Sequence, residues 1–330
     1  MRIQCVRKAA AFISLGIISA LIAIPQAISA QNYPTRPIRL IIPFPPGGST
    51  DTYARVISPK VSESIGQQVV IDNRTGAGGA IGAELAAKAP ADGYTIWLGQ
   101  TANLAIGPAL RAKNPYDPFN DFAAISLVQK ASSVLVVSPS SPIKTLKDLV
   151  ELAKKKPEGL TYGSAGIGTA GHLNGHLLNV AAGINLTHVP YKGAAPAMLD
   201  LQAGRITLMA TSIGSSAGMI RQGKIRAIAS TGSKRARQLP DVPTAMEQGL
   251  KNFDVTTWHV FMAPAKTPPA MIDLLNKHIV AAMNIPDIQE KLMSEGGEVT
   301  PTTPKEASEF VRSEIIKWGD LIRKAGITAD

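Results

Sequence analysis

Cysteine is almost missing: Cys5 is the only one in 330 residues, and it precedes a long apolar run. A mature chain without that segment has neither disulfides nor thiol chemistry, so packing alone must hold it. Aromatic residues make up only 5% of the chain and are scattered. That leaves no stacking platform for nucleic acid, although a net charge of +10 would otherwise suit a polyanion. Beyond Ile24 no segment approaches the roughly 18 unbroken apolar residues of a spanning helix. The zinc-protease pattern H-E-x-x-H is absent, and the Gly76–Ala80 run lacks the Lys-Ser/Thr of a phosphate loop.

What is present starts at the N-terminus. Arg2, Arg7 and Lys8 precede an apolar run from Ala9 to Ile24, followed by Pro25 and Ala27-Ile-Ser-Ala30. A basic start, an apolar middle and a small-residue end describe a secretory signal peptide over residues 1–30, cleaved after Ala30. An uncleaved anchor is the alternative. Loss of Arg2, Arg7 and Lys8 lowers the net charge to +7. Export argues against nucleic acid as partner, and a modest attraction for small anions fits better. The remaining 300 or so residues suffice for two packed domains.

The pattern alternates between strands and helices. Ile38–Ile42 reads as a strand, and about Thr50–Ile65 as a helix with Ile57, Val61 and Ile65 on one face and a kink or break expected at Pro59. Strands are expected at 69–72, 94–98, 133–137, 160–163, 187–190, 206–210 and 225–229. Helices are expected at 80–89, from Thr145, at 169–182, 194–202, 269–283, 286–294 and 305–325. Thr145 and Asp148 have capping-box spacing, and Lys154–Lys156 suits the negative end of the same helix. Repeated βα units imply parallel sheets with helices on both faces, hence two doubly wound α/β domains whose ligands sit at the carboxyl ends of strands.

Three stretches carry candidate chemistry. Ser49, Thr50 and Asp51 follow a Pro/Gly turn where a helix begins, an arrangement that binds anions through free N–H groups. An ordinary turn with Ser49 or Thr50 as N-cap is the plain alternative. Gly166-Ile-Gly-Thr-Ala-Gly171 matches a dinucleotide fingerprint, but no carboxylate follows about 20 residues on, so a smaller anion fits better. His172 and His176 are spaced i, i+4 without a third metal ligand, so no metal is expected. His172 then reads as a hydrogen-bond donor near the loop and His176 as packing. Ser164 with His172 could form a secreted hydrolase, although no acid is spaced to orient the imidazole.

Pro43-Phe-Pro-Pro-Gly-Gly-Ser-Thr-Asp51, Asn73-Arg-Thr-Gly-Ala-Gly-Gly79 and Pro90-Ala-Asp-Gly-Tyr-Thr95 resemble the Bug family, the extracytoplasmic solute receptors of tripartite tricarboxylate transporters. The likeness continues through Tyr162-Gly-Ser-Ala-Gly166, His188-Val-Pro-Tyr-Lys-Gly193, Leu239-Pro-Asp-Val-Pro-Thr244 and Trp318-Gly319. It implies a periplasmic binding protein of the type II kind: two α/β domains that close on a small organic acid in the cleft between them. Domain 1 would comprise 31–131 and 256–330, and domain 2 would be 132–255. The implied protein is a monomer without cofactor or catalysis, serving membrane transporter subunits. A ligand-sensing partner of a signalling protein would share the same pocket.

Carried over motif by motif, the ligand residues are Phe44, Pro46, Gly47, Gly48, Ser49, Thr50, Asp51, Thr101 and Asn103 in domain 1. Gly163, Ser164, Ala165, Thr169, His172, Tyr191, Lys192 and Gly193 are their counterparts in domain 2. Backbone N–H groups and hydroxyls would hold the carboxylate, with Phe44 and Tyr191 as apolar wall. Two departures stand out. Ala210-Thr211 replaces a Phe-Asp pair of many relatives, which disfavours an amino-bearing ligand. Trp258-His-Val260 replaces a pattern that usually has Gly last.

Overall fold

The computed structural model describes residues 33–326, apart from 157, 168, 252, 295 and 296. The expected signal peptide, Cys5 included, lies outside them. In chain order the first elements are β1 (Ile38–Ile42), α1 (Ser49–Ile65), β2 (Val69–Asn73), α2 (Ala80–Ala87) and β3 (Thr95–Gln100). A π-helical turn at Ala102–Ile106 leads into α3 (Gly107–Leu110) and β4 (Phe122–Val137). Next come α4 (Leu146–Lys155), β5 (Thr161–Ser164), α5 (Ala170–Ala182), β6 (Thr187–Pro190), α6 (Ala194–Gln202), β7 (Leu208–Ser212), α7 (Ile213–Arg221) and β8 (Arg226–Ser230). The chain ends with β9 (Thr256–Pro264), α8 (Pro269–Met283), α9 (Pro286–Ser294), β10 (Gly297–Val299) and α10 (Pro304–Ala325).

β1 is apolar on both faces, with Ile38, Leu40, Ile41 and Ile42 fully buried, and it runs parallel between β2 and β3. β5 likewise runs parallel between β6 and β7. An all-parallel expectation fails at β4 and β9, which pair antiparallel with each other, while β9 runs antiparallel to β3. β4 is the longest strand and serves two sets of partners. Phe122–Ser132 pairs with β9, while Ser133–Val136 pairs with β7 and Val134–Val137 with β8. The result is a mixed α/β fold with the carboxyl ends of β1 and β5 leading into the two loop systems of interest.

Local chemistry explains the element ends. Gly66 adopts a left-handed conformation (φ 76°) and its N–H caps the Ser62 carbonyl, which stops α1. Pro59 does not break α1 as expected. Its missing N–H costs one bond, while buried Tyr53, Ala54, Ile57, Ser58 and Val61 anchor the helix on both sides of it. Thr145 and Asp148 form the expected capping box on α4. No described helix is long and apolar enough to cross a membrane.

Candidate ligand-binding site

α1 begins without a side-chain cap. Gly48 is the N-cap residue, so Ser49 and Thr50 are its first helical residues rather than caps. The first helical hydrogen bond runs from Thr52 N–H to the Gly48 carbonyl at 2.9 Å, and no described acceptor meets the N–H groups of Ser49, Thr50 and Asp51. Pro46, Gly47, Gly48 and Ser49 are exposed, while Thr50 and Asp51 behind them are buried. The Asp51 side chain turns inward and staples the turn. Its Oδ2 accepts from Gly47 N (3.0 Å) and Arg55 Nε (2.7 Å), and its Oδ1 from Asn73 Nδ2 (3.0 Å). Burial pushes this carboxyl up, but the Arg55 guanidinium and the other two donors outweigh it and hold it below the ordinary range.

Two neighbouring loops close on this turn. Gly79 sits where a Cβ would lie 2.9 Å from Asn103 Nδ2 and 3.0 Å from Phe44 Cζ, so glycine lets the three segments meet. Asn103 is fully buried; its Oδ1 accepts from Gln100 N at 2.9 Å, while its Nδ2 has no partner. Thr101 ties β3 to β9 by accepting the Trp258 N–H at 2.8 Å. Thr101 is therefore structural in this structure, whereas the Asn103 amide nitrogen is buried without a described partner.

The second loop system follows β5. Tyr191 N–H donates to the Ser164 carbonyl (3.0 Å) and Gly193 N–H to the Ala165 carbonyl (3.2 Å), so the β5–α5 and β6–α6 loops run side by side. Gly163 allows a tight fit there, since a Cβ would fall 2.4 Å from the Ile206 Cδ1 tip and push it aside. Thr169 caps α5 by accepting from His172 N. Ser164 is fully buried, and its Oγ accepts from Gly166 N (3.1 Å) and lies 2.7 Å from His188 Nε2. The imidazole paired with Ser164 is thus His188, not His172 as the hydrolase expectation had it. His172 instead stacks on His188 with ring centroids 4.1 Å apart, and Tyr162 covers the other side at 4.8 Å. Burial, followed by the neighbouring His188 and His176, pushes His172 down to about 4. Tyr191 is half-buried with its hydroxyl bonded to Asp200 (2.7 Å), and Lys192 is exposed.

Sequence reasoning quoted His188 only as the start of a family-like motif and gave it no role, and it missed Gln129, a single polar residue on a strand with no motif around it. It also held that no G-x-S-x-G pattern occurs, whereas Gly214-Ser-Ser-Ala-Gly218 fits one. Ser216 lies inside α7, is fully buried, and donates to the Ser212 carbonyl (2.6 Å), so it is no nucleophile elbow. Among the described residues no cluster is arranged to hold a metal ion. A cavity of about 560 Å³ lies elsewhere, lined by Lys130, Lys234, Arg237, Asp254 and Phe310 among others, and none of the expected ligand residues borders it.

Comparison with known proteins matches these features to one family. The family model for the tripartite tricarboxylate transporter family receptor covers residues 53–327. The protein BugT of Bordetella pertussis is 37% identical over 313 residues, spanning 94% of this chain and 96% of BugT. The structure of the periplasmic binding protein BugD is 36% identical with a TM-score of 0.73, covering 90% of this chain and 99% of BugD. The R. palustris protein Rpa4515, solved with adipate, is 35% identical with a TM-score of 0.76, covering 90% and 99%.

Proposed function

This chain belongs to the tripartite tricarboxylate transporter receptor family, and from that premise we propose that it captures a small organic carboxylate in the periplasm and hands it to a membrane transporter. The observation that carries this is the uncapped start of α1, where three N–H donors have no described acceptor. Carboxylates are acceptor-only anions, and they match both the donors and the positive end of the helix. One helix end supplies about 0.3–2 kcal/mol. Micromolar affinity needs about 8 kcal/mol. Both loop systems must therefore grip the ligand, the α1 turn from one domain and the β5–α5 and β6–α6 loops from the other.

The two domains are 31–131 with 256–330, and 132–255, joined where β4 changes partners and where β9 begins. Closure between them buries the ligand. A neighbour bound to adipate supports a dicarboxylate-sized guest. We read the Ser164–His188 pair as structural, since Ser164 Oγ also accepts from Gly166 N and so ties the β5–α5 loop together. The N-terminal 30 residues serve as the export signal.

A thermal-shift screen of citrate, malate, adipate and benzoate tests this. A ligand at 100 times its dissociation constant adds about 2.7 kcal/mol, a clear rise in Tm. No shift with any organic acid, or turnover of the bound acid, would remove the receptor role.

A further inference from the structure

His259 lies on β9 behind the α1 turn, only 3% exposed. Its Nε2 is 3.1 Å from Thr50 Oγ1 and its Nδ1 is 3.0 Å from Gln129 Nε2. Tyr53 packs edge-on against the imidazole, with centroids 4.8 Å apart. Gln129 is also buried, and its Oε1 has no hydrogen-bond partner. Which end of that carboxamide faces the imidazole decides the hydrogen bonding, since its oxygen and nitrogen are alike in shape.

Gly297 of β10 fixes the choice. A Cβ built there would fall 1.6 Å from Gln129 Oε1, so a Gly297 Cα–H bond points at that atom. An oxygen accepts such a C–H contact, whereas an NH2 would press hydrogen against hydrogen. The oxygen therefore faces Gly297, and the NH2 donates to His259 Nδ1. A neutral imidazole that accepts at Nδ1 carries its hydrogen on Nε2. Burial keeps the ring neutral by pushing its pKa down to about 3. Nε2–H then donates to Thr50 Oγ1, and although Thr50 is only 2% exposed, its hydroxyl hydrogen is claimed by no described acceptor.

Building on the receptor role, we infer that Gly297, Gln129 and His259 are positioning residues that fix Thr50 as a hydrogen donor. Together with the N–H groups of Ser49, Thr50 and Asp51 they make the α1 turn donor-only, selective for an ionised carboxylate over the corresponding amide. Discrimination arises because an amide NH2 would meet donors and leave itself unpaired.

Two measurements test this on the mature protein. Long-range ¹H–¹⁵N spectra of histidine-labelled protein should show His259 protonated at Nε2 and bare at Nδ1; protonation at Nδ1 overturns the contact chain. Gln129→Met should turn that signal into a mixture of tautomers, and an unchanged Nε2–H form would also count against it. Calorimetry then uses whichever of citrate, malate, adipate and benzoate binds most tightly, beside its amide. Thr50→Val should weaken acid binding about tenfold, or about 1.4 kcal/mol, with Thr50→Ser restoring it. Wild-type affinity in Thr50→Val overturns the donor role while leaving the receptor role standing. If wild type binds none of the four acids, the receptor role and the selectivity fall together, and the tautomer alone judges the contact chain.

Discussion

Asn73 Nδ2 lies 3.0 Å from Asp51 Oδ1 and also 3.0 Å from the Phe44 carbonyl, so one amide holds both ends of the β1–α1 turn. This contact keeps the Asp51 carboxylate out of the donor cluster and its charge away from an incoming anion. The turn is thereby built by a negative group whose two oxygens are taken up by Gly47, Arg55 and Asn73.

Removing either partner should therefore loosen the turn. Asp51→Ala leaves the Gly47 N–H, the Arg55 guanidinium and the Asn73 amide without their acceptor. We expect a loss of about 1–3 kcal/mol from urea midpoints, with ligand affinity falling in parallel. A double-mutant cycle with Asn73→Ala should give a coupling of about 0.5–3 kcal/mol. Zero coupling would show that the staple contributes nothing.

Histidines whose protonation burial opposes weaken the fold in acid, His259 and His172 foremost. His259 is pushed down to about 3 and His172 to about 4, burial being the main cause in both. Unfolded histidine titrates near 6.5. Between about pH 6.5 and the folded values the unfolded chain holds more protons, so stability rises with pH. Unfolding free energy should thus fall on acidification from pH 7 to 4, at up to about 1.4 kcal/mol per pH unit for each histidine. Asp51, held low when folded, adds its own loss below its unfolded value of about 3.9. His259→Gln should flatten the slope between pH 6.5 and 4; an equally steep slope would mean that another group titrates there.

The helices were the most legible part of the chain. Pro269–Met283 and Ala194–Gln202 match their expected bounds because apolar spacing and end residues agree. The first half of β4 was not legible, because Ser126 and Gln129 interrupt its apolar run although both are buried. Their partners, Thr302 and His259, are far away in sequence. The same cause hid half of the site. Motifs exposed the glycine-rich turns, but His188 and His259 act through spatial neighbours that no spacing rule connects.

Two glycines in helices should respond oppositely to alanine. At Gly175 of α5 a Cβ would fall 2.2 Å from the Tyr162 ring, whereas at Gly218 of α7 nothing lies within 4 Å. Alanine favours a helix over glycine by about 1 kcal/mol. Overpacking costs about 1–3 kcal/mol, so Gly175→Ala should be destabilising and should disturb the Tyr162–His188 stack. Gly218→Ala should stabilise by about 0.4–1 kcal/mol. Equal Tm changes in the two variants would contradict the close packing of Tyr162 on α5.

Asn103 offers the sharpest test of the donor cluster. The Gln100 N–H fixes its Oδ1 at 2.9 Å, and this leaves the unpaired Nδ2 near Gly79 and Phe44. Asn103→Asp keeps the acceptor for Gln100 but replaces the free donor with a second carboxylate oxygen. A bound carboxylate would then face like charge, and we expect at least a tenfold loss of affinity, about 1.4 kcal/mol or more. The new carboxyl is buried, so its folded pKa lies above the unfolded one. Its protonated form is the better tolerated, and the variant's stability relative to wild type should be best below pH 4 and fall as pH rises through the folded value. Calorimetry and urea midpoints at pH 5 and 7.5 separate the two effects. Wild-type affinity with only a stability loss would make Asn103 a packing residue and restrict the site to the α1 turn.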